Sequence, residues 1–336
     1  MMITIKDVAK LSGVSISTVS RVINDSKPVS PEVRKRVLKV IDETGYKPND
    51  VARSLVTRRS YLIGVIINNL AQSYVADIVR GIEEIGKMYD YDILLCSSYF
   101  SKEAQKKYLQ LLDRKQAEGI FLVGYKFDDE VIKLAKSLNK PCVYFTQKTE
   151  EDMEHVSIDY FAAGQEATNF LIKQGHKKIA YVSEYEELLP AEEEKIAGYK
   201  KALKDNELAI KASNIYSAGG RRHNHAYSLG PDILKDIKKI DAILCSNDEL
   251  AIGIMNYLLD NGAKVPEDVS IMGFGNIKEG QFVRPQLTTV GEPFYDYGAV
   301  GMRTLIKTIK AEKRQTGLIE LPFTIEKRES VKMLEK

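Results

Sequence analysis

A chain of 336 residues has room for about two domains, and 44% hydrophobic with 29% charged residues describes an ordinary soluble protein with ample material for a core. The net charge of +2 conceals an asymmetry: twelve Lys and Arg against six acids put the first sixty residues at +6 and leave the remainder at −4. That division excludes a uniformly basic, generally adhesive protein and suits a polyanionic partner at one end only.

The chain opens on Thr4 to Asn24, which reads as two short helices joined by a tight turn. Thr4 and Asp7 have the spacing of a capping box, and Ile5, Val8 and Ala9 recur at helical intervals. Ser12-Gly13-Val14 makes the turn, with Gly13 free to take the positive φ that ends a helix. Ser15 caps the second helix, Ile16 to Ile23, whose inward residues are Val19, Val22 and Ile23. Its outer face carries Ser15, Ile16, Ser17, Thr18, Ser20 and Arg21: slim side chains near the N-terminus and one cation able to grip guanine bidentately. Ser30 and Pro31 start a third helix with Val33, Val37, Val40 and Ile41 as its buried stripe, and Gly45 ends it.

Thr4-Ile5-Lys6-Asp7-Val8-Ala9 followed by Val14-Ser15-Ile16-Ser17-Thr18-Val19-Ser20-Arg21-Val22-Ile23-Asn24 resembles the DNA-binding headpiece of the LacI/GalR family of bacterial repressors. Beyond Pro48, Asn49 offers a new cap, and Asp50 to Val56 is too short a helix to persist alone in water. This stretch resembles the family's hinge helix, which pairs with its twin in a homodimer and lies in the minor groove. The resemblance implies that Leu55 is an apolar wedge between base steps.

From Tyr61 onward, apolar runs at 61–67, 91–96, 119–123, 142–145, 178–182, 241–245 and 269–274 alternate with longer amphipathic stretches. Continuous apolar strands with helical crossovers predict parallel sheets covered on both faces, and their number predicts two doubly wound units with a break near Asp159–Tyr160. The resemblance extends here to the family's periplasmic-binding-protein-like core. The expected fold is therefore an all-α helix-turn-helix headpiece (1–46), a hinge linker (47–60) and an α/β core (61–336). Subdomain one should take 61–159 and 291–317, and subdomain two 160–290 and 318–336, with ligands in the cleft at the carboxyl ends of the strands.

No catalytic constellation is found. Gly273-Phe274-Gly275 lacks the third glycine of a dinucleotide fingerprint, and there is no nucleophile elbow or phosphate loop. His223 and His225 are two apart, on different faces of a helix, so no metal site and no cofactor are expected. Cys96, Cys142 and Cys245 lie in or beside apolar strands, as reduced core residues do. No signal sequence precedes the headpiece and no apolar run approaches a membrane span, so the expected home is the cytoplasm.

Family members usually answer a sugar or purine held between an arginine and an aspartate. Here those positions are Lys195, before Gly198-Tyr199, and Gly275, after Gly273-Phe274. Losing the carboxylate removes an acceptor for sugar hydroxyls, and lysine cannot reproduce the guanidinium fork. Arg80-Gly81-Ile82-Glu83, Met88-Tyr89-Asp90-Tyr91, Val283-Arg284-Pro285-Gln286-Leu287-Thr288 and Tyr295-Asp296-Tyr297-Gly298-Ala299-Val300-Gly301-Met302-Arg303 look instead like the carbon-catabolite-control branch of the family. Its corepressor is a protein, the phosphocarrier HPr phosphorylated on a serine.

The resemblance implies roles for single residues. Ile16, Ser17 and Arg21 would read base edges of a pseudo-palindromic double-stranded operator. Thr4, Ser15, Thr18, Ser20, Asn24 and Ser30 would hold phosphates, and Lys47, Arg53 and Leu55 would join them on the DNA side. Tyr295, Asp296, Arg303 and Lys307, with Tyr89 and Tyr91, would receive serine-phosphorylated HPr, Arg303 meeting the phosphate. Offsets of seven and four let Asp296, Arg303 and Lys307 share one helical face. The alternative is a small molecule in a cleft lined by Asn69, Tyr74, Lys195, Asn247 and Gly275.

Overall fold

The computed structural model describes residues 3–24, 27–46, 59–124, 127–145, 154–186, 189–311 and 317–334. The chain divides into two compact units, 1–61 and 62–336. Lys47, Arg53, Leu55 and the expected hinge helix lie outside the described residues.

The first unit holds three helices, α1 (Ile5–Ser12), α2 (Ile16–Asn24) and α3 (Pro31–Thr44). Their starts and stops are encoded locally. The Thr4 backbone N–H donates to Asp7 Oδ2 at 2.9 Å and the Thr4 hydroxyl to the same oxygen at 2.7 Å. Gly13 ends α1 at φ 65°, which lets the Val14 N–H reach back to the Ala9 carbonyl at 3.1 Å. Val8, Ala9, Val19, Val22 and Val37 are buried together where the helices meet. Four valines and an alanine form a small core, since a valine contributes only about 1.5–3 kcal/mol at full burial and an alanine less.

The second unit is built on two six-stranded sheets. The first subdomain runs β1 (Leu62–Ile67), α4 (Ser73–Met88), β2 (Asp92–Ser97), α5 (Lys102–Arg114), β3 (Gly119–Val123), α6 (Asp129–Ser137), β4 (Cys142–Phe145) and β5 (Glu154–Ser157). The second runs α7 (Tyr160–Lys173), β6 (Ile179–Ser183), α8 (Pro190–Asp205), β7 (Ile215–Ser217), α9 (His223–Asp236), β8 (Ala242–Cys245), α10 (Asp248–Asp260), β9 (Ser270–Gly275), the short α11 (Glu279–Phe282) and β10 (Thr288–Gly291). The chain then returns to the first subdomain through α12 (Phe294–Ala311) and β11 (Gly317–Glu320), and ends in the second with β12 (Thr324–Glu326).

Strand orders are β2-β1-β3-β4-β5-β11 and β7-β6-β8-β9-β10-β12, parallel throughout except for the antiparallel β10–β12 pair. Strands β3, β6, β8 and β9 are buried along their whole length, which is why they read as unbroken apolar runs. One boundary moves. β11 pairs in parallel with β5, so 318–320 stay in the first sheet and the last crossing comes after Glu320, later than the expected return at Leu318. Cys96 and Cys245 are buried and Cys142 half-buried, and none of the three is in a disulfide among the described residues.

Candidate DNA interface, helix-face cluster and cleft

The outer face of α2 is open. Ser15, Ile16, Ser17 and Arg21 are exposed, whereas Thr18 and Ser20 are half-buried. The Ser15 hydroxyl accepts the Thr18 N–H at 3.2 Å and lies 2.7 Å from Ser17 Oγ and 2.9 Å from Thr18 Oγ1. A cap and two further hydroxyls thus gather at the positive end of the helix dipole, a place that favours phosphate. Ile16, 44% exposed, stands beyond them as an apolar tip. Arg21 follows on the last turn. Exposed Thr4 and Ser30 mark the starts of α1 and α3, and Asn24 is the last residue of α2.

A second cluster lies where α4 and α12 pack. A Cβ on Gly81 would fall 2.2 Å from the Tyr295 carbonyl oxygen, and one on Gly298 would fall 2.0 Å from that of Ile78. Glycine therefore lets the two backbones touch. That approach brings Tyr295 to Glu84, hydroxyl to carboxylate at 2.6 Å, with the Arg80 guanidinium 5.0 Å from the Tyr295 ring centre. Asp296, Arg303 and Lys307 are exposed on α12 as their spacing predicts. Tyr89 is 40% exposed at the end of α4, with the Lys310 ammonium 4.8 Å from its ring centre. Tyr91 departs from expectation. It is 5% exposed, and its hydroxyl donates to Glu118 at 2.9 Å. Asp90, at φ 61°, turns the chain so that Tyr89 faces out and Tyr91 faces in.

The carboxyl ends of the strands meet in the inter-subdomain cleft, lined among others by Tyr74, Lys195, Asn247 and Gly275. Asn69 is not among the lining residues; its side chain accepts the Ala71 N–H at 2.9 Å instead. The enclosed space is about 20 Å³, enough for one water and far short of a sugar. The rest is filled by side chains of which sequence reading named Asn247 and missed Glu184, Arg221, Asp248 and Glu292. Arg221 lies 2.7 Å from the buried Glu184 carboxylate, and Asn247 donates to Glu184 at 3.0 Å while capping α10 through the Leu250 N–H at 2.9 Å. Asp248 accepts the Thr289 hydroxyl at 2.5 Å and the Ile277 N–H at 2.8 Å. Burial nevertheless pushes its carboxyl up to about 6. Glu292, also raised by burial, accepts the hydroxyls of Tyr160 at 3.0 Å and Tyr297 at 3.2 Å.

An open hollow of about 200 Å³ lies further along the subdomain boundary, with Asp159, Tyr160, Phe161, Glu194 and Leu318 on its walls. Among the described residues no group of His, Cys, Asp and Glu has the arrangement of a metal site. No helix there is long and apolar enough to cross a membrane. His223 is exposed, while His225 is half-buried against Gly220.

A helix-turn-helix headpiece preceding a two-lobed α/β core defines a DNA-binding transcription regulator, and the chain belongs to the LacI family. Residues 4–49 match the family model for bacterial regulatory proteins of the lacI family, and residues 60–327 match that for periplasmic binding proteins and the sugar binding domain of the LacI family. Catabolite control protein A of Priestia megaterium is 37% identical over 333 residues, covering 99% of this chain and 100% of the relative. The HTH-type transcriptional regulator RegA of Clostridium saccharobutylicum is 35% identical over 337 residues, covering 98% and 99%. The lac repressor dimer bound to operator and the anti-inducer ONPF superposes with a TM-score of 0.87, covering 99% of this chain and 100% of that one; at 24% identity it speaks to the fold alone.

Proposed function

We propose that this regulator works as a homodimer in carbon catabolite control, mainly as a repressor, with serine-phosphorylated HPr as its corepressor. The observation that carries the reading is the α4–α12 face. Arg303 and Lys307 stand exposed one turn apart, and neither has a hydrogen bond or ion pair with the described residues. Nearer the start of α12, Tyr295 is fixed by Glu84 and Arg80. An exposed guanidinium with no partner among the described residues suits a phosphoserine on a protein surface, because its fork matches phosphate oxygens bidentately. Tyr89 and Asp296 extend the surface, and buried Tyr91 has no direct part in it.

On the DNA side, Ile16, Ser17 and Arg21 read base edges in each half of a pseudo-palindrome. Thr4, Ser15, Thr18, Ser20, Asn24 and Ser30 hold phosphates. Lys47, Arg53 and the Leu55 wedge complete the interface at the operator centre.

A small effector in the cleft is the second reading, and the hollow of about 200 Å³ is what favours it. Against it stand the roughly 20 Å³ left where the family's ligands would sit. The deciding experiment is fluorescence anisotropy on a labelled pseudo-palindromic operator with a central CG step, at fixed salt. Titrations run with the protein alone, with HPr and with serine-phosphorylated HPr. Tightening with the phosphorylated form alone, lost in Arg303→Ala, supports the reading. Binding indifferent to HPr refutes it and returns attention to the cleft.

A further inference from the structure

The chain crosses between the lobes three times, and the crossings are fastened to one another. The first leaves β5 at Ser157 and enters α7 at Tyr160, the second leaves β10 at Gly291 and enters α12 at Phe294, and the third leaves β11 at Glu320 and enters β12 at Thr324. On the third, the Leu321 N–H donates to the Ser157 carbonyl of the first at 2.8 Å. The first and second meet through the side chain of Glu292.

Glu292 uses one oxygen for both lobes. Its Oε2 accepts the Tyr160 hydroxyl from the second subdomain at 3.0 Å and the Tyr297 hydroxyl from the first at 3.2 Å. Both rings are held in place, Tyr160 at 3% and Tyr297 at 0% exposure. Tyr297 packs on Phe294 and Phe145, with ring centres 5.8 and 6.4 Å away, and Phe145 stacks on Phe121 at 5.4 Å. Tyr160 lies against Phe274 of β9 at 6.3 Å. Each hydroxyl is thus carried by the aromatic packing of its own lobe, and the two sets of rings meet at a single carboxylate oxygen.

A hydrogen bond survives an angular change of roughly 30° but not a separation of roughly 1 Å. An atom bonded to both lobes at once therefore opposes their parting at that point more than their turning about it.

We propose that Glu292 is the pin that joins the two lobes at their crossings, its Oε2 holding Tyr160 and Tyr297 together. α12 begins on this pin, with Tyr295 and Asp296 in the same turn as Tyr297. A protein docked on α12 would thus be felt by the second lobe through Glu292. That consequence rests on the corepressor reading, whereas the pin itself does not.

The test is hydrogen–deuterium exchange of the full chain, read by mass spectrometry. Glu292→Leu removes the acceptor, and peptides from all three crossings, the Leu321 amide included, should exchange roughly tenfold faster. Glu292→Gln keeps an oxygen able to accept both hydroxyls and should behave like the parent. Faster exchange confined to the start of α12 overturns the proposal, because a merely local role would not reach Leu321. So does a glutamine variant that exchanges like the leucine one.

Should Glu292→Leu fail to fold, Tyr160→Phe and Tyr297→Phe carry the test in a double-mutant cycle of urea midpoints. Losing one hydroxyl lets the other bond the shared oxygen more strongly, so the two changes together should lower the midpoint by more than the sum of each alone. Additive effects overturn the pin. Where the leucine variant folds, the coupling should vanish in its background, and coupling that persists there would show that the tyrosines act on each other without Glu292. Both assays use the protein alone, so failure of the corepressor reading would leave their outcomes unchanged.

Discussion

Gly298→Ala probes the backbone contact on which the α12 face depends. The added Cβ would lie 2.0 Å from the Ile78 carbonyl oxygen and 2.9 Å from the Ile82 nitrogen, both main-chain atoms that no rotamer change can move. Restoring ordinary contact distances requires α4 and α12 to part by roughly 1 Å or more, which loosens packing along both helices. Alanine gains up to about 1 kcal/mol in helix propensity over glycine. Overpacking costs typically about 1–3 kcal/mol, and a rigid backbone contact belongs at the upper end. A net loss of about 2 kcal/mol is therefore expected.

Gly86→Ala is the control. It lies on α4, the helix that α12 packs against, and its Cβ would meet the Ile93 Cδ1 at 3.2 Å and the Met302 Cε at 3.4 Å, side-chain ends able to yield, with the nearest main-chain atom, the Tyr91 carbonyl oxygen, at an ordinary 3.5 Å. Urea unfolding followed by circular dichroism should give a lower midpoint for Gly298→Ala at unchanged slope, and a midpoint near the parent's for Gly86→Ala. The Tyr295–Glu84 hydrogen bond spans the parted helices, so Gly298→Ala should also blunt the response to serine-phosphorylated HPr. Equal stability of the two alanine variants would refute the claim that the helices meet through backbone.

Three further outcomes follow from single residues. Arg21→Ala should relax preference at one base of each half-site at a cost of roughly 1–3 kcal/mol; uniform weakening across all sequences in a binding-selection assay would contradict a base-reading role. Tyr91→Phe removes a hydroxyl held 2.9 Å from Glu118 and should lower stability by about 1 kcal/mol. It should leave the HPr response intact, whereas a lost response would place Tyr91 on the docking surface after all. Asp248 titrates near 6 when folded against about 3.8 in the open chain, so between these values the folded protein keeps a proton that the unfolded one has released. Stability from this group is full below the lower value and is lost as pH rises through the upper one, by about 3 kcal/mol for roughly two units. Asp248→Asn should remove that slope from a pH series of urea midpoints, and parallel curves for variant and parent would show that Asp248 does not set it.

The headpiece was legible because its instructions are local. Thr4 with Asp7, Gly13, and Ser15 with Thr18 act within four residues of one another, and each makes the contact its spacing announces. The apolar strands were equally plain. Strands β5, β7, β10, β11 and β12 were not, since three or four residues such as Thr288-Thr289 or Glu154-His155 carry no apolar run. They are strands because their neighbours are: Thr289 pairs with Gly273, and buried Glu154 takes the Thr308 hydroxyl at 2.7 Å from a helix 154 residues away. The same limit separates Tyr89 from Tyr91. Nothing in their spacing shows that Asp90 would take φ 61° and turn one ring out and the other in. Glu184, Arg221 and Glu292 belong to no motif, and only the fold gathers them.

The departures at Lys195 and Gly275 make better sense together than apart. A carboxylate at 275 would enter beside Asp248, whose Oδ2 would stand 3.6 Å from the new Cβ, on a backbone at φ 129° that side-chain-bearing residues rarely adopt. Asp248 is already 1% exposed and already bound by Thr289 and Ile277, so a second acid there would add repulsion with no solvent to relieve it. Glycine at 275 avoids both penalties. Lysine at 195 keeps its charge within the second subdomain, its ammonium donating to the Ser246 carbonyl at 2.9 Å and lying 4.2 Å from the Phe274 ring centre. With the acid absent and the cation engaged by its own subdomain, a docked protein on α4 and α12 is the stronger candidate for the signal.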